Sequence, residues 1–366
     1  MRKVGLFGGS FDPIHKAHIE IAKIALKQLQ LDEIQLIPTQ NNPWKESSCA
    51  PTKDRLAMMK LAIENEDAIS INTIELEKPN GEKNYTIDTI KELISSYPDN
   101  QYYYIMGMDQ ANLFGDWKNA QDMSKLVQLV AFQRGGYAPD MKPICEYHFL
   151  LLDNTPIDAS SSDVREGHIE MLDNRVLHYI TQNGLYLETI VASRMKEKRW
   201  KHTCSVAQLA SEIALSNGLN DKQAYIAGMF HDIAKEMGYE QSLKIMQEHF
   251  PQYVEKPVAI WHQWVSRYVS EHDYLIDDDV VLDAIEHHTT GSIHISPIGK
   301  CVYVADKLDP LRGYDSSKQI EICKKDIHQG FRDSLIDFYE FSTKNHRDID
   351  ECFYEIYDYF VTKGEI

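Results

Sequence analysis

The sequence has 366 residues, more than one average domain needs and enough for two domains that each bury a core. It contains 38 Lys and Arg residues and 56 Asp and Glu residues, which gives a formal net charge of -18. The overall field of the protein therefore repels nucleic acid and anionic membranes, which excludes proteins that bind either through their overall charge. The six cysteines form no CxxC pair, which predicts free thiols in a reducing compartment. No run of about 18 apolar residues occurs, so we expect a cytoplasmic protein without a membrane span.

Short β-rich runs alternate with helical patterns through the first half of the chain. The runs are KVGLF, EIQLIP, QYYYIMG, LVQLVAF and YHFLLLD, and the segments between them are long enough for crossover helices, which predicts a parallel α/β sheet. After NGLYLE, residues 183–188, the strand signals stop and amphipathic helices follow, with a last apolar set at Ile349, Phe353, Ile356, Tyr357 and Phe360. We therefore predict an α/β domain over residues 1–188 and an all-α domain over residues 189–366.

The stretch GLFGGSFDPIHKAH, residues 5–18, directly follows the first predicted strand. Gly8 and Gly9 let the backbone approach a ligand, and the helix behind them offers free N–H groups and a favourable dipole for phosphate. His15 and His18 are three residues apart on the first helical turn, so both can point toward that anion and stabilise charge on a phosphoryl oxygen. A glycine turn with two surface histidines is the alternative, but the full string favours nucleotide chemistry.

A second candidate phosphate site is ASSSDVR, residues 159–165. A serine cluster that opens a helix offers hydroxyl and backbone donors, and Arg165 adds a guanidinium that can bind phosphate through two hydrogen bonds. Taken alone, this segment is typical of an ordinary helix cap with an exposed arginine. Together with the first motif, it favours phosphate binding.

GGSFDPIHKAH resembles the signature GGSFDPIHxGH of bacterial nicotinate-nucleotide adenylyltransferases, with Ala17 in place of the usual Gly. IPTQNNPWK, DRLAMM, YTIDT, IMGMDQ and FQRGGY extend the resemblance over roughly the first half of the chain, and ASSSDVR is similar to the family's ISSTxIR. The resemblance implies a Rossmann-like nucleotidyltransferase fold in which His15, His18 and Arg165 are catalytic. It also implies an ATP site made by Gly8, Gly9, Ser10, Phe11, His15, His18, Gly107, Asp109, Ser160, Ser161, Ser162 and Arg165.

The same resemblance implies the mononucleotide site and the reaction. The mononucleotide would be bound by Lys45, Tyr85, Thr86, Trp117 and Arg134. Its phosphate would attack the α-phosphorus of ATP, with Mg²⁺ bridging the phosphates, to give deamido-NAD and pyrophosphate. Trp44 replaces the His usual in the family's PHK element, so nicotinamide mononucleotide stays open as an alternative acceptor to nicotinic acid mononucleotide.

The second half carries histidines and aspartates on successive predicted helices: His202, His231, Asp232, His262, His288 and Asp306. A neighbouring His-Asp pair offers one nitrogen and one oxygen donor, which suits Fe, Mn or a similar divalent metal. An isolated HD dipeptide is typical of an exposed helix end. The order of the donors along the chain, however, favours a metal site in the core of a helix bundle.

That order resembles the HD superfamily of metal-dependent phosphohydrolases, and KRWKHT, FHDIAK, HTTG and ADKLDP are similar to the bacterial symmetrical diadenosine tetraphosphatases. The resemblance implies two divalent ions, Fe or Mn. One would be held by His202, His231, Asp232 and Asp306, and the other by His262 and His288, with Asp232 as the bridging, catalytic residue. It favours His288 over its neighbour His287. Lys235 and Arg312 are candidate phosphate contacts, and solvated surface charges are an equal alternative for both.

Together these patterns predict a bifunctional enzyme, an adenylyltransferase of NAD biosynthesis joined to a hydrolase that cleaves diadenosine tetraphosphate to two ADP. The expected partners are ATP, nicotinic acid mononucleotide, diadenosine tetraphosphate and a second copy of the chain, without nucleic acid or membrane. Gln263 and Trp264 follow His262 where the family has small residues, so another nucleotide phosphate stays open as the hydrolase substrate. A nucleotide-sensing module without turnover is a further alternative, against which the six candidate ligands argue.

Overall fold

The computed structural model describes residues 1–39, 50–77 and 85–365. They form two compact units, Met1–Val176 and Leu177–Ile366, and the point of division lies within the helix Asn174–Asn183. Among the residues so described, we find no helix with the length and apolar character that a bilayer crossing requires.

A six-stranded parallel sheet forms the centre of the first unit. Its strands are β1 Lys3–Gly9, β2 Glu33–Pro38, β3 Ile69–Ile71, β4 Gln101–Gly107, β5 Gln128–Phe132 and β6 Leu150–Leu151. In space they follow the order β3-β2-β1-β4-β5-β6, with every neighbouring pair parallel. This is the doubly wound arrangement, and its switch point lies between β1 and β4, where the carboxyl ends of the strands leave a crevice.

The helices of the first unit are α1 Lys16–Leu29, α2 Thr52–Ala62, α3 Thr86–Ser96, α4 Met108–Asn112, α5 Ala120–Leu126, α6 Met141–Glu146 and α7 Ser161–Arg165. The apolar spacing of α1 has the predicted effect: Ile21 and Ala25 are buried, while Ile24 and Leu29 are half-buried. Five of the six strands coincide with the predicted runs. The strand β3 was not predicted because three residues are too few to show an alternating pattern.

The second unit is helical, which confirms the predicted change of fold class. Its helices, with the one at the division, are α8 Asn174–Asn183, α9 Leu187–Ala192, α10 Glu197–Ser216, α11 Asp221–Phe230, α12 Tyr239–His249, α13 His262–His272, α14 Asp279–His287, α15 Pro297–Leu308, α16 Ser317–Lys325, α17 Ile327–Lys344 and α18 Glu351–Tyr357. The strand signal at NGLYLE is wrong: Gly184 and Tyr186 have φ of +67° and +57°, which ends α8 in a turn, and α9 begins at Leu187.

At the end of the chain, the predicted apolar positions are packed inside the second unit. Phe353, Ile356 and Phe360 are buried, and the Phe360 ring lies edge-on to Phe331 of α17 at 5.2 Å between centroids. A short π-helical turn, Asp358–Thr362, follows α18 and carries Phe360. Core packing therefore accounts for Phe353 and Phe360, whereas Tyr354 of the same segment is 51% exposed.

Candidate active sites

A cavity of about 710 Å³ opens at the carboxyl ends of β1 and β4, at the switch point of the sheet. This volume is in the range that binds nucleotide-sized ligands. Gly8 must stay free of a side chain, because a Cβ there would lie 2.8 Å from the Tyr104 hydroxyl. Fourteen of the predicted site residues line the cavity: Gly8, Gly9, Ser10, His15, His18, Tyr85, Thr86, Gly107, Asp109, Trp117, Arg134, Ser160, Ser161 and Ser162.

His15 and His18 lie against each other at the start of α1, with ring centroids 3.8 Å apart. The backbone N–H of His15 donates to His18 Nδ1 at 3.2 Å, so the proton of a neutral His18 is on Nε2. The Nδ1 atom of His15 is buried and has no hydrogen-bond partner in the described part of the chain. A buried polar atom without a partner beside a cavity is what a site for a polar ligand provides.

Both imidazoles are neutral at pH 7. Burial, followed by the positive charge of Arg134, lowers the pKa of His15 to about 4. Burial, then the neighbouring His15 and Arg134, holds the pKa of His18 well below its usual range. Each neutral ring can still donate one N–H to a phosphoryl oxygen.

The segment that carries Arg165 holds the turn between β1 and α1. Ser161 Oγ donates to the carbonyl oxygen of Pro13 at 2.8 Å, and the Arg165 guanidinium donates to the carbonyl oxygen of Asp12 and, at 3.1 Å, to Ser162 Oγ. The Phe11 ring is 1% exposed and packs edge-on at 5.0 Å from the His18 ring, measured between centroids. The structure therefore places Phe11 behind the histidines and Arg165 on the backbone of their loop.

Two further basic residues lie around the cavity: Arg55, which belongs to the DRLAMM motif of the resemblance, and Lys118, which was not predicted from the sequence. Arg55, 1% exposed, donates to the carbonyl oxygens of Ser10 at 2.7 Å and Thr39 at 2.9 Å, which ties two loops of the cavity wall. The Lys118 ammonium lies 3.8 Å above the Tyr85 ring. Lys118 follows Trp117, and this proximity to a predicted site residue is the only signal in the sequence that points to it.

Two predicted features of the mononucleotide site, Lys45 and the substitution at Trp44, lie outside the described residues. Arg134 is present in the cavity wall and forms an ion pair with Asp109, with Nη1 to Oδ2 at 2.9 Å. The ion pair holds one cation at the cavity and fixes its orientation.

The second unit brings its six predicted donors together from five segments. His202 lies on α10 and Asp306 on α15, with His202 Nε2 and Asp306 Oδ1 at 3.1 Å. Around Asp232, His231 Nε2 is 3.5 Å from Oδ2, and His262 Nε2 and His288 Nε2 are 3.4 and 3.7 Å from Oδ1. Two groups have donor atoms all within 4.8 Å of one another and share Asp232: His202, His231 and Asp232, and Asp232, His262 and His288.

The backbone orients three of the four histidines. His231 Nδ1 donates to the carbonyl oxygen of Gly228 at 2.6 Å, His262 Nδ1 to Ala259 at 3.0 Å and His288 Nδ1 to Ile285 at 2.7 Å. Because a carbonyl oxygen can only accept, Nδ1 carries the proton and Nε2 presents a lone pair toward Asp232.

The donor set fits a divalent metal centre. His231 Nε2 is buried and has no hydrogen-bond partner among the residues described, so an acceptor lone pair is held in the interior for a ligand. Burial lowers the pKa of His231 to about 4 and that of His262 to about 2, so both rings are neutral, as metal binding requires. Imidazole nitrogens with carboxylate oxygens suit a divalent transition metal.

The neighbours of these donors are packed away from the centre. His287 Nδ1 pairs with Asp283 Oδ1 at 2.9 Å, in keeping with the preference for His288. Trp264 is 6% exposed and stacks on Tyr253 at 4.4 Å between ring centroids. Gln263 is fully buried and its Oε1 accepts from the backbone N–H of Thr290 at 3.3 Å.

Positive side chains lie directly on this centre. Arg199 Nη1 is 2.6 Å from Asp232 Oδ2, and Arg312 Nη2 is 2.6 Å from Asp306 Oδ1. Lys235 Nζ lies over the His262 ring, 3.0 Å from Nδ1 and 3.1 Å from Nε2, and can donate to the lone pair of Nε2. Arg312 and Lys235 were predicted from the sequence as phosphate contacts, whereas Arg199 was not. The signal for Arg199 is its position three residues before His202 on the same helix face.

The fold and the two sites define a nucleotidyltransferase-like unit followed by an HD-type unit. The Cytidylyltransferase-like family matches residues 6–167, and the HD domain family matches residues 199–311. An HD domain implies binding of divalent metal, consistent with the donor groups around Asp232.

The chain belongs to the nicotinate-nucleotide adenylyltransferase/Ap4A hydrolase family. The family name gives its two enzyme activities, adenylyl transfer and hydrolysis of Ap4A. It is 30% identical over 342 residues to "Probable nicotinate-nucleotide adenylyltransferase/Ap4A hydrolase" of Mycoplasma pneumoniae, which covers 90% of this chain and 97% of that protein. The protein of the same name in Mycoplasma genitalium is 30% identical over 338 residues, 90% of this chain and 96% of that protein.

Two solved structures each match about half of the chain. The nicotinic acid mononucleotide adenylyltransferase of Plasmodium falciparum complexed with NaAD covers 51% of this chain and 98% of its own, with 18% identity and a TM-score of 0.46. A "predicted HD superfamily hydrolase involved in NAD metabolism" from Clostridium acetobutylicum covers 48% of this chain and 96% of its own, with 24% identity and a TM-score of 0.45.

Proposed function

We propose that the chain is a bifunctional enzyme that transfers the adenylyl group of ATP to nicotinic acid mononucleotide and hydrolyses diadenosine tetraphosphate to two ADP. The observation that carries the proposal is the presence of both sites in one chain: neutral His15 and His18 on a nucleotide-sized cavity, and the His and Asp centre around Asp232. We place the boundary between the two activities at residues 188 and 189.

In the first reaction, a phosphate oxygen of the mononucleotide attacks the α-phosphorus of ATP. The new P–O bond gives deamido-NAD, and the bond to the β-phosphate breaks and releases pyrophosphate. His15 and His18 donate N–H to the α-phosphoryl oxygens as charge builds on them, while the hydroxyls of Ser160 and Ser162 contact the leaving phosphates. Mg²⁺, when bound with ATP, supplies further neutralisation of the triphosphate.

Arg165 acts on this reaction mainly through the loop that it holds. Its contacts with the Asp12 carbonyl oxygen and Ser162 Oγ fix the position from which His15 begins α1. Trp117 and Tyr85 form the apolar part of the cavity wall, against which the planar pyridine ring of the mononucleotide packs. Lys118 and Arg134 supply the positive charge that attracts its phosphate and carboxylate.

In the second reaction, water attacks the tetraphosphate chain so that it breaks in the middle and yields two ADP. His202, His231, Asp232 and Asp306 would hold one divalent ion and Asp232, His262 and His288 the other, with Fe or Mn as the fitting metals. When bound, such a pair supplies a Lewis acid and lowers the pKa of water. Arg199, Lys235 and Arg312 surround the centre and would bind the polyphosphate oxygens.

Product analysis of the purified full-length chain tests the proposal. With ATP and Mg²⁺, we expect faster formation of dinucleotide from nicotinic acid mononucleotide than from nicotinamide mononucleotide. With Mn²⁺ or Fe²⁺, diadenosine tetraphosphate should yield ADP alone. Absence of deamido-NAD, or release of ATP with AMP in place of ADP, would contradict the corresponding half of the proposal.

A further inference from the structure

His202 differs from the other three histidines of the metal centre in how its ring is held. His231, His262 and His288 each donate from Nδ1 to a backbone carbonyl oxygen three residues earlier. They can do so because His231 and His288 directly follow helices and His262 begins one, where carbonyl oxygens are free of helical hydrogen bonds.

His202 has no such carbonyl oxygen within reach along its own helix. It is in the interior of α10, Glu197–Ser216, where the carbonyl oxygens of the preceding turn accept the helix's own N–H groups. Its Nδ1 pairs instead with Oδ2 of Asp309 at 2.6 Å, across 107 positions of the sequence. A side chain from another segment therefore replaces the backbone acceptor.

Burial and further hydrogen bonds hold the Asp309 carboxylate in this position. It is 1% exposed, at the end of α15, and its Oδ1 accepts from Ser205 Oγ at 2.6 Å and from the backbone N–H of Leu311 at 3.1 Å. Ser205 is three residues after His202 on α10, so Asp309 contacts the same helix face twice. A buried carboxylate with three donors has its orientation fixed.

We infer that Asp309 is the positioning residue that holds His202 with Nδ1 protonated and Nε2 directed at the metal position beside Asp306. The inference rests on the proposed metal centre and extends it to a residue that never touches the ion. Carboxylate contacts of this kind orient a ligating imidazole and raise its basicity, and their loss commonly weakens metal binding about 10–100-fold.

The substitution Asp309→Asn tests the orientation because it keeps the shape of the side chain. The backbone N–H of Leu311 must still meet an acceptor, so the amide oxygen stays there and the amide NH₂ faces His202 Nδ1. The ring must then carry its proton on Nε2, which removes the lone pair from the metal position. We expect the affinity for one Mn²⁺ to fall about 10–100-fold while the second Mn²⁺ is retained.

The measurement is a Mn²⁺ titration of the metal-free full-length chain, with free Mn²⁺ counted by electron paramagnetic resonance. Asp326→Asn is the matched control, since Asp326 caps α17 through two backbone N–H groups and Asn caps a helix equally well. The inference is supported if the wild type binds Mn²⁺ at two sites and Asp309→Asn has a lower affinity at one of them. If both Mn²⁺ sites of Asp309→Asn keep their affinity, the inference about Asp309 is wrong while the proposed metal centre is still supported. If the wild type binds no Mn²⁺, the proposed metal centre itself is wrong.

A second measurement does not depend on the folding of a variant. Ring ¹⁵N shifts of the metal-free wild type at pH 8, assigned by comparison with His202→Gln, report which nitrogen of His202 is protonated. We expect Nδ1 to carry the proton. A wild-type ring that carries no proton on Nδ1 would overturn the inference whatever the behaviour of Asp309→Asn, whereas a proton on Nε2 only reflects the contact of Nε2 with Asp306 in the metal-free chain.

Discussion

At the scale of single residues, His15 shows how burial sets the charge of a binding group. The ring is 5% exposed and lies on a cavity that also holds Arg134, so protonation would place a second cation in a poorly solvated site. The proposed phosphate contact is therefore a neutral hydrogen-bond donor in the free enzyme. The cost of that arrangement appears in the dependence of stability on pH.

The pKa of His15 gives the sign of this dependence. The folded value of about 4 is below the ordinary 6.5, so the unfolded chain binds the proton more readily, and His15 increasingly disfavours folding as pH falls from about 6.5 to about 4. The full effect is about 3 kcal/mol. In an NMR titration of the full-length chain, the C2 proton of His15, assigned with His15→Asn, should titrate near pH 4. A midpoint at pH 6.5 would contradict the assigned environment.

At the scale of secondary-structure elements, the metal centre depends on close packing of α10 against α11. Gly228 on α11 lies so near α10 that a Cβ there would be 2.5 Å from the Cα atom of Ala207. The carbonyl oxygen of Gly228 also accepts from His231 Nδ1. The same residue thus sets the distance between two helices and the orientation of one ligand.

Gly228→Ala should therefore destabilise the second unit, despite the better helix propensity of alanine, because overpacking costs about 1–3 kcal/mol and the helix gains about 1 kcal/mol at most. Thermal unfolding followed by circular dichroism should show a lower Tm, and Mn²⁺ affinity should fall. Gly238→Ala is the control, since its φ is -62° and the nearest atom to a Cβ there, Gln241 Oε1, is 3.9 Å away. Equal Tm values for the two variants would count against the packing argument.

At the scale of the whole molecule, the described residues of each proposed active site lie within one compact unit. The cavity residues from Phe7 to Ser162 belong to the first unit, and the six metal-centre residues belong to the second. Among the described residues, none belongs to both sets, so the two reactions should fail independently.

Two substitutions test this independence. Asp232→Asn removes the carboxylate common to both donor groups and should reduce hydrolysis of diadenosine tetraphosphate more than about 10²-fold, with adenylyl transfer unchanged. His18→Asn should reduce adenylyl transfer about 10²–10³-fold and leave hydrolysis unchanged. Both activities are measured on the same preparation of each variant. Parallel loss of both activities in either variant would show that the sites are coupled.

The sequence by itself determined the two fold classes and named most of the residues that the structure brings to the cavity and to the surroundings of Asp232. The alternation of strand residues, the spacing of helical residues and motifs such as GGSFDPIHKAH involve residues that are close in the sequence. They can therefore be recognised without the tertiary structure. Five of the six strands and the convergence of the six metal-centre donors follow from such patterns. The three-residue strand β3 and the false strand at NGLYLE show where the local signal is too short.

Only the tertiary structure decided how these residues are held. Asp309 meets His202 across 107 positions, and Arg165 meets Asp12 across 153, so neither contact leaves a pattern in the local sequence. The tautomer of each histidine depends on which oxygen packing brings to Nδ1, and the neutral state of His15 depends on how completely the fold excludes water. Residue type supplies the candidate donor, whereas packing of distant segments sets its orientation, its proton and its charge.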